Sequence, residues 1–116
     1  MVVDKLSDPT VDRIFQALAD ATRRDIVSRT LSHELSVSAL AEHYAMSFAA
    51  VQKHVAVLER AALVTKVRRG REQLVHGNAE TLRRAARLLD AYEKIWHDRA
   101  ERLGDLLSES EKGREQ

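Results

Sequence analysis

Two short β-prone runs, Val64 to Val67 and Gln73 to His76, enclose Arg68-Arg69-Gly70-Arg71 in a chain that elsewhere follows helical spacing. Gly70 can take a positive φ at little steric cost, so this segment reads as a basic-tipped hairpin. The pattern changes at Leu63 and returns to helix at Glu80. The expected fold class is mainly α with a small β-hairpin, as a single domain or one protomer of a small assembly. Four glycines, one proline and 32% charged residues agree with a mostly helical soluble chain.

The helices before the hairpin carry their own start signals. Asp8-Pro9 opens the first, because Asp accepts from free N–H groups and Pro loses nothing at the first helical position. Val11, Ile14, Phe15 and Leu18 follow as one apolar stripe. Asp20 caps a second helix that buries Ile26, Val27 and Leu31, and Ser36 caps a short third one that turns Val37, Leu40, Ala41 and Tyr44 inward. Ser47 caps a fourth, running to about Ala61, with Ala50, Val51, Val55 and Leu58 inside. After the hairpin, Glu80 to Leu107 reads as a helix of about 42 Å. Leu82, Leu89, Trp96 and Leu103 recur every seven residues, and Ala85, Tyr92 and Leu106 fill most of a second seam that Arg99 interrupts. Residues 1–107 thus form the expected domain. The tail 108–116 has no apolar residue and is expected to be disordered.

Composition narrows the chemistry. The absence of cysteine removes disulfides, thiolate redox chemistry, cysteine nucleophiles and every Cys-containing metal cage. No stretch approaches the ~18 uncharged apolar residues of a membrane span. The start, MVVDKLSD, has an acid where a signal peptide needs an apolar core, so a cytoplasmic protein without membrane contact is expected. The formal charge is only +1, but residues 37–78 hold six basic and three acidic groups, an excess of +3. That local excess hints at an anionic partner.

Two short helices joined by a tight turn and followed by a basic hairpin have the layout of a winged helix-turn-helix. A helix fits the major groove of DNA, and its first turns can reach base edges. On helix 47–61, Phe48, Ala49, Gln52, Lys53 and Ala56 lie opposite the inward face. Gln52 can make the two-point contact that adenine invites, and Lys53 can take guanine or phosphate. The wing, 64–76, would set Lys66, Arg68, Arg69 and Arg71 against backbone phosphates or a narrow minor groove.

The segments ALADATRRDIV, LSVSALAEHYAMSFAAVQKHVAVLERAALV and RRGREQLV, in that order, resemble the ArsR/SmtB family of bacterial winged-helix repressors. The likeness is greatest to the cysteine-free branch, in which GREQ in the wing precedes a long helix with a central Trp. It runs from about Ile14 to Leu107. The resemblance implies a homodimer that binds a palindromic operator in double-stranded DNA and represses transcription. It places Ser47, Phe48, Ala49, Gln52, Lys53 and His54 on the recognition helix and Arg68, Gly70 and Arg71 on the wing. It also assigns the dimer interface to the first and last helices, here Ile14 and Phe15 with Leu82, Leu89, Tyr92, Trp96, Leu103 and Leu106.

Departures from the family pattern at four positions bear on these expectations. Ala45 and Ala62 stand where the family usually has Gly, at turns where a left-handed residue other than Gly costs about 1–2 kcal/mol. Ala21 replaces the usual Pro, and both suit a first helical turn. Phe48 occupies a position where a polar, base-reading residue is common, so it touches a thymine methyl or packs against its own domain.

Other chemistries find less support. Glu93, His97 and Glu101 are spaced by four and share a helix face, which allows a metal site across a dimer. Their neighbours Lys94, Arg99 and Arg102 favour a solvated ion-pair face instead, so no metal or other cofactor is expected. His33, His43, His54 and His76 fit structural roles. No Ser lies in a glycine elbow and no glycine loop could cradle a phosphate, so an enzyme is not expected. The apolar residues of the last helix could line a small-molecule pocket between protomers, but a dimer core is the simpler reading. The competing functions are a winged-helix protein-docking module and a metal-responsive repressor.

Overall fold

Every expected helix N-cap is formed in the computed structural model, which describes residues 8–115. The start expected to lack a signal peptide lies, but for Asp8, outside the described residues. Helix α1 (Pro9–Leu18) begins where the Asp8 carboxylate accepts the Thr10 N–H at 2.9 Å. Helix α2 (Ala21–Ser32) begins at Asp20, which accepts the Arg23 N–H at 3.0 Å. Ser36 and Ser47 do the same for α3 (Val37–Ala41) and α4 (Phe48–Arg60), accepting from Ala39 and Ala50 at 3.0 and 3.1 Å.

The other end of α1 is closed by side chains of α2. Arg23 Nε donates to the Ala17 carbonyl at 2.7 Å and its Nη2 to that of Gln16 at 3.1 Å, while Arg24 Nη1 reaches the Leu18 carbonyl at 2.8 Å. Last-turn carbonyls have no partner within their own helix, so this arginine pair ends α1 and fixes the tight α1–α2 turn.

The hairpin is larger than expected. Strands β2 (Val64–Arg69) and β3 (Glu72–Gly77) pair with Arg68 opposite Gln73, and Gly70 turns at φ +65°. A third strand, β1 (Leu35–Ser36), pairs antiparallel with β3 and gives the order β1-β3-β2. Two residues are too few to show an alternating pattern, and Ser36 both ends this strand and caps α3. At the far end of β3, a Cβ on Gly77 would meet the Leu31 backbone nitrogen at 2.8 Å, so only glycine lets the strand lie this close to α2.

The core is continuous across these elements. Ile14, Ile26, Leu40, Val51, Val55, Leu58, Leu63, Val64 and Val75 are fully buried, each stabilising the fold by about 1.5–3 kcal/mol. This corrects the expectation for Ile14: with 0% exposure it has no surface left to bury against a partner. Phe15 and Leu82 are half-buried and pack on the same core. The inward residue Leu31, by contrast, is 41% exposed. The buried Thr30 hydroxyl donates to the Ile26 carbonyl at 2.8 Å.

Helix α4 ends in a Schellman turn. The Leu63 N–H donates to the Leu58 carbonyl at 3.0 Å and the Ala62 N–H to that of Glu59 at 2.9 Å, with Ala62 at φ +60°. Among the described residues it is the only non-glycine with positive φ, so the left-handed backbone expected at Ala45 does not occur. The Ala62 carbonyl accepts both the Thr81 hydroxyl at 2.6 Å and Asn78 Nδ2 at 3.1 Å. Asn78 in turn caps the last helix, accepting the Glu80 N–H at 3.1 Å.

That helix, α5, spans Ala79–Glu115, and the tail expected to be disordered after residue 107 is helical to Glu115. Its Glu, Lys and Arg residues have good helix propensity. The chain divides into two units, one reaching to Ala85 and the other from Ala86 onward. The first holds all the elements above and the opening turns of α5; the second is the rest of α5. No helix among the described residues is long and apolar enough to cross a membrane.

Candidate nucleic-acid interface

Helices α3 and α4 and the wing, β2–β3, enclose an open cleft of about 200 Å³. Val37, Ser38, Phe48, Gln52, Arg68, Arg71, Glu72 and Gln73 line it. Four of the expected DNA-contacting residues, Phe48, Gln52, Arg68 and Arg71, therefore meet in one place, two from the recognition helix and two from the wing. Phe48 is 47% exposed, so it does not pack into its own domain as an interior residue would. Gln52 lies one turn further along the same exposed face.

The remaining expected residues divide by their partners. Ser47, Ala49 and Lys53 are exposed on α4 outside the cleft lining. Ser47 already accepts the Ala50 N–H, which leaves its hydroxyl proton available to an acceptor. His54 is half-buried with Nδ1 3.4 Å from Arg23 Nη1, so it faces α2. Lys66 pairs with Glu59 at 3.5 Å. Arg69 pairs with Glu34 at 3.6 Å, and His76 Nε2 meets the same carboxylate at 3.3 Å. Arg68 and Arg71 have no ion pair among the described residues, and Arg68 Nε donates to the Gly70 carbonyl at 3.3 Å. The free positive charge of the wing thus belongs to Arg68 and Arg71 on either side of the Gly70 turn.

Sequence reasoning missed Ser38, Glu72 and Gln73. Ser38 lies opposite the inward Val37 and Leu40 on a helix treated as scaffold, and Gln73 directly opposes Arg68 across the hairpin. The register that brings Gln73 into the cleft is set by Gly70 and could have been counted from it. Glu72 is a carboxylate in a site otherwise suited to anions, and it opposes Arg69.

The segment between α3 and α4 is tied to α2. The Tyr44 hydroxyl donates to Asp25 Oδ2 at 2.6 Å, and Arg29 Nε donates to the same oxygen at 2.7 Å. These two bonds, Tyr44 first, hold the Asp25 carboxyl below the usual carboxylate range. Burial and then the Asp25 carboxylate push the Tyr44 phenol up to about 12. Asp20, where α2 starts, is also held low, chiefly by the Arg23 N–H. The turn that sets the start of the recognition helix is therefore anchored by a charged hydrogen-bond cluster.

The second unit presents a different surface. Leu89, Tyr92, Trp96, Leu103 and Leu106 are all exposed along α5, with Trp96 at 58%. They occupy the heptad positions read from the sequence. On another face, His97 Nε2 lies 3.3 Å from Glu101, and both side chains are exposed. Among the described residues no three His, Cys, Asp or Glu side chains are grouped to hold a metal ion.

No family model matches the chain. It is 34% identical over 79 residues to the HTH-type transcriptional regulator YuzN of Bacillus subtilis, a match covering 62% of this chain and 86% of that one. It is 49% identical over 53 residues to the HTH-type transcriptional regulator Rv2034 of Mycobacterium tuberculosis, covering 46% of this chain and spanning about half the length of that relative. Among solved structures it is similar to an ArsR-like transcriptional regulator from Rhodococcus sp. RHA1, with a TM-score of 0.76 and 28% identity over 86% of this chain and 92% of the other.

Proposed function

The chain belongs to the ArsR family of helix-turn-helix transcriptional regulators, and from this premise we infer that it binds operator DNA as a homodimer and represses transcription. The observation that carries the reading is the cleft in which Phe48 and Gln52 of α4 stand beside Arg68 and Arg71 of the wing. The α4 pair is suited to base edges in the major groove, and the two arginines to flanking phosphates or a narrow minor groove. Ser47, Ala49 and Lys53 extend the same helix surface toward the backbone. Lys66 and Arg69 serve as a second rank, since each must leave a carboxylate before it meets a phosphate.

Homodimer formation is supported by the exposed seam of α5, because an apolar stripe of Leu, Tyr and Trp needs a partner to stay dry. Phe15 and Leu82 are the other expected interface residues that keep exposed surface. A two-fold dimer with two reading helices matches a palindromic site, with half-sites one helical turn apart or a multiple of it. The protein acts in the cytoplasm, without catalysis and without a resident cofactor.

Selection of bound sites from random DNA tests the proposal. A palindromic consensus whose affinity falls steeply with salt is the expected result, since several phosphate contacts per protomer release counterions. Binding to no selected DNA, or an interaction with a protein that salt leaves unchanged, would replace this function with a protein-docking module.

A further inference from the structure

A second cleft, of about 340 Å³, lies within the first unit between α1, α2 and the C-terminal half of α4. Ala17 and Ala61 are buried in its wall, and Arg13, Gln16, Arg23, Val57 and Arg60 complete its lining. Arginines from three helices line this one space, and no carboxylate residue does. The α1 carbonyls offset part of the charge of Arg23 and the C-terminal end of α4 part of that of Arg60, and the repulsion left among the three arginines is relieved by an anion in the concavity. Arg23 is already fixed in place by the Gln16 and Ala17 carbonyls, while Arg13 and Arg60 have no ion pair among the described residues. Asp20 lies near Arg23, but its carboxylate is engaged by the first turn of α2.

We propose that this arginine cleft binds a small oxyanion-bearing molecule, of the phosphate-ester class, as a ligand distinct from DNA. The planar fork of guanidinium offers paired N–H donors that fit phosphate oxygens, and Arg13 and Arg60 can present that fork beside the fixed charge of Arg23, whose own Nε and Nη2 are bonded to carbonyls. The volume is at the lower end of small-molecule sites. The cleft touches Val57, Arg60 and Ala61, about two and a half to three and a half turns beyond Phe48 at the far end of the same helix and hence roughly 14–20 Å away, beyond the first turns that read bases. Arg23 Nη1 also meets His54 of α4, so the occupant sits against the recognition helix from its inner side.

The test is titration of the purified full chain with inorganic phosphate and with pyrophosphate, followed by NMR of backbone amides and arginine Nε–H groups. Sodium chloride at matched ionic strength serves as the control. Saturable shifts at Ala17, Val57 and Ala61 are expected, and Arg13→Gln or Arg60→Gln should each weaken binding about tenfold, the scale of one charge-assisted hydrogen bond. Both residues are exposed, so the variants keep the fold, which the unchanged spectrum of the remaining residues verifies. The proposal is overturned if sodium chloride reproduces the shifts, or if saturable binding survives the Arg13→Gln/Arg60→Gln double variant. It is also overturned if neither phosphate probe gives saturable shifts. None of these readouts needs an operator, so failure of the cleft and failure of the DNA-binding proposal are separable.

Discussion

The Ala62 carbonyl accepts the Thr81 hydroxyl at 2.6 Å while Ala62 itself holds φ at +60°. The strained residue between α4 and the wing is thus bonded to the first turn of α5. Its left-handed backbone costs about 1–2 kcal/mol relative to glycine, and glycine would lose about 0.4–1 kcal/mol through greater freedom of the unfolded chain. The strain wins, so Ala62→Gly should stabilise the protein by about 0.5–1 kcal/mol, seen as a rise of a few degrees in thermal midpoint. A lower midpoint would show that the unfolded-state entropy outweighs the strain.

Tyr44 and Asp25 give stability a defined pH dependence. Asp25 is held low in the folded state, so its contribution is present above the unfolded carboxylate value, about 4, and is lost as pH falls through its lower folded value. Tyr44 is raised to about 12, so its contribution is intact below the unfolded phenol value of about 10 and is lost as pH rises through about 12. Urea denaturation of Tyr44→Phe should show a loss of about 1 kcal/mol at pH 7 and no further decline specific to this group between about pH 10 and 12. An alkaline limb identical to that of the parent protein would remove Tyr44 as its source.

Much of this architecture was legible because it depends on local chemistry. Asp8, Asp20, Ser36 and Ser47 each bond to an N–H two or three residues away, so a sequence window contains both partners. Gly70 marks the wing turn for the same reason. What escaped detection depends on distant partners. Strand β1 exists because Leu35 and Ser36 meet Val75 and Leu74, and its two residues carry no pattern of their own. Ile14 and Phe15 look alike on a helical wheel, yet only the fold buries Ile14 completely. At the site, the α4 face followed from periodicity, whereas Ser38 and the neutralisation of Arg69 by Glu34 required knowing which surfaces come together. The three arginines of the second cleft are separated by up to 47 positions and share no motif.

Phe48 and Gln52 should read different features of the operator. A phenyl ring on the exposed first turn can recognise only apolar edges in the major groove, and the thymine methyl is the one it finds there. Replacing each selected thymine in turn by uracil removes that methyl without changing base pairing. One position per half-site should lose affinity by roughly 3–10-fold, and Phe48→Ala should abolish that difference, consistent with about 1 kcal/mol from one buried methyl. Gln52→Ala should instead relax preference at a neighbouring adenine. Uniform insensitivity to uracil would leave Phe48 as a backbone spacer with no part in sequence readout.

Trp96 tests whether the α5 seam joins two copies. It is 58% exposed and therefore contributes little to the stability of a single protomer, so Trp96→Asp should leave the thermal midpoint of the first unit near that of the parent. Across a dimer the same change removes two large rings from an apolar seam and adds two charges, a loss of roughly 3–5 kcal/mol per site by the scale of large aromatic truncations. Light scattering should then report the mass of one chain at concentrations where the parent reports two, with operator affinity falling in parallel. Lys94→Gln makes the same unit change in net charge two residues away, at the heptad position farthest from the seam, and should leave the dimer intact. If both variants remain dimeric, the partner surface lies elsewhere; if both dissociate, net charge rather than the seam controls assembly.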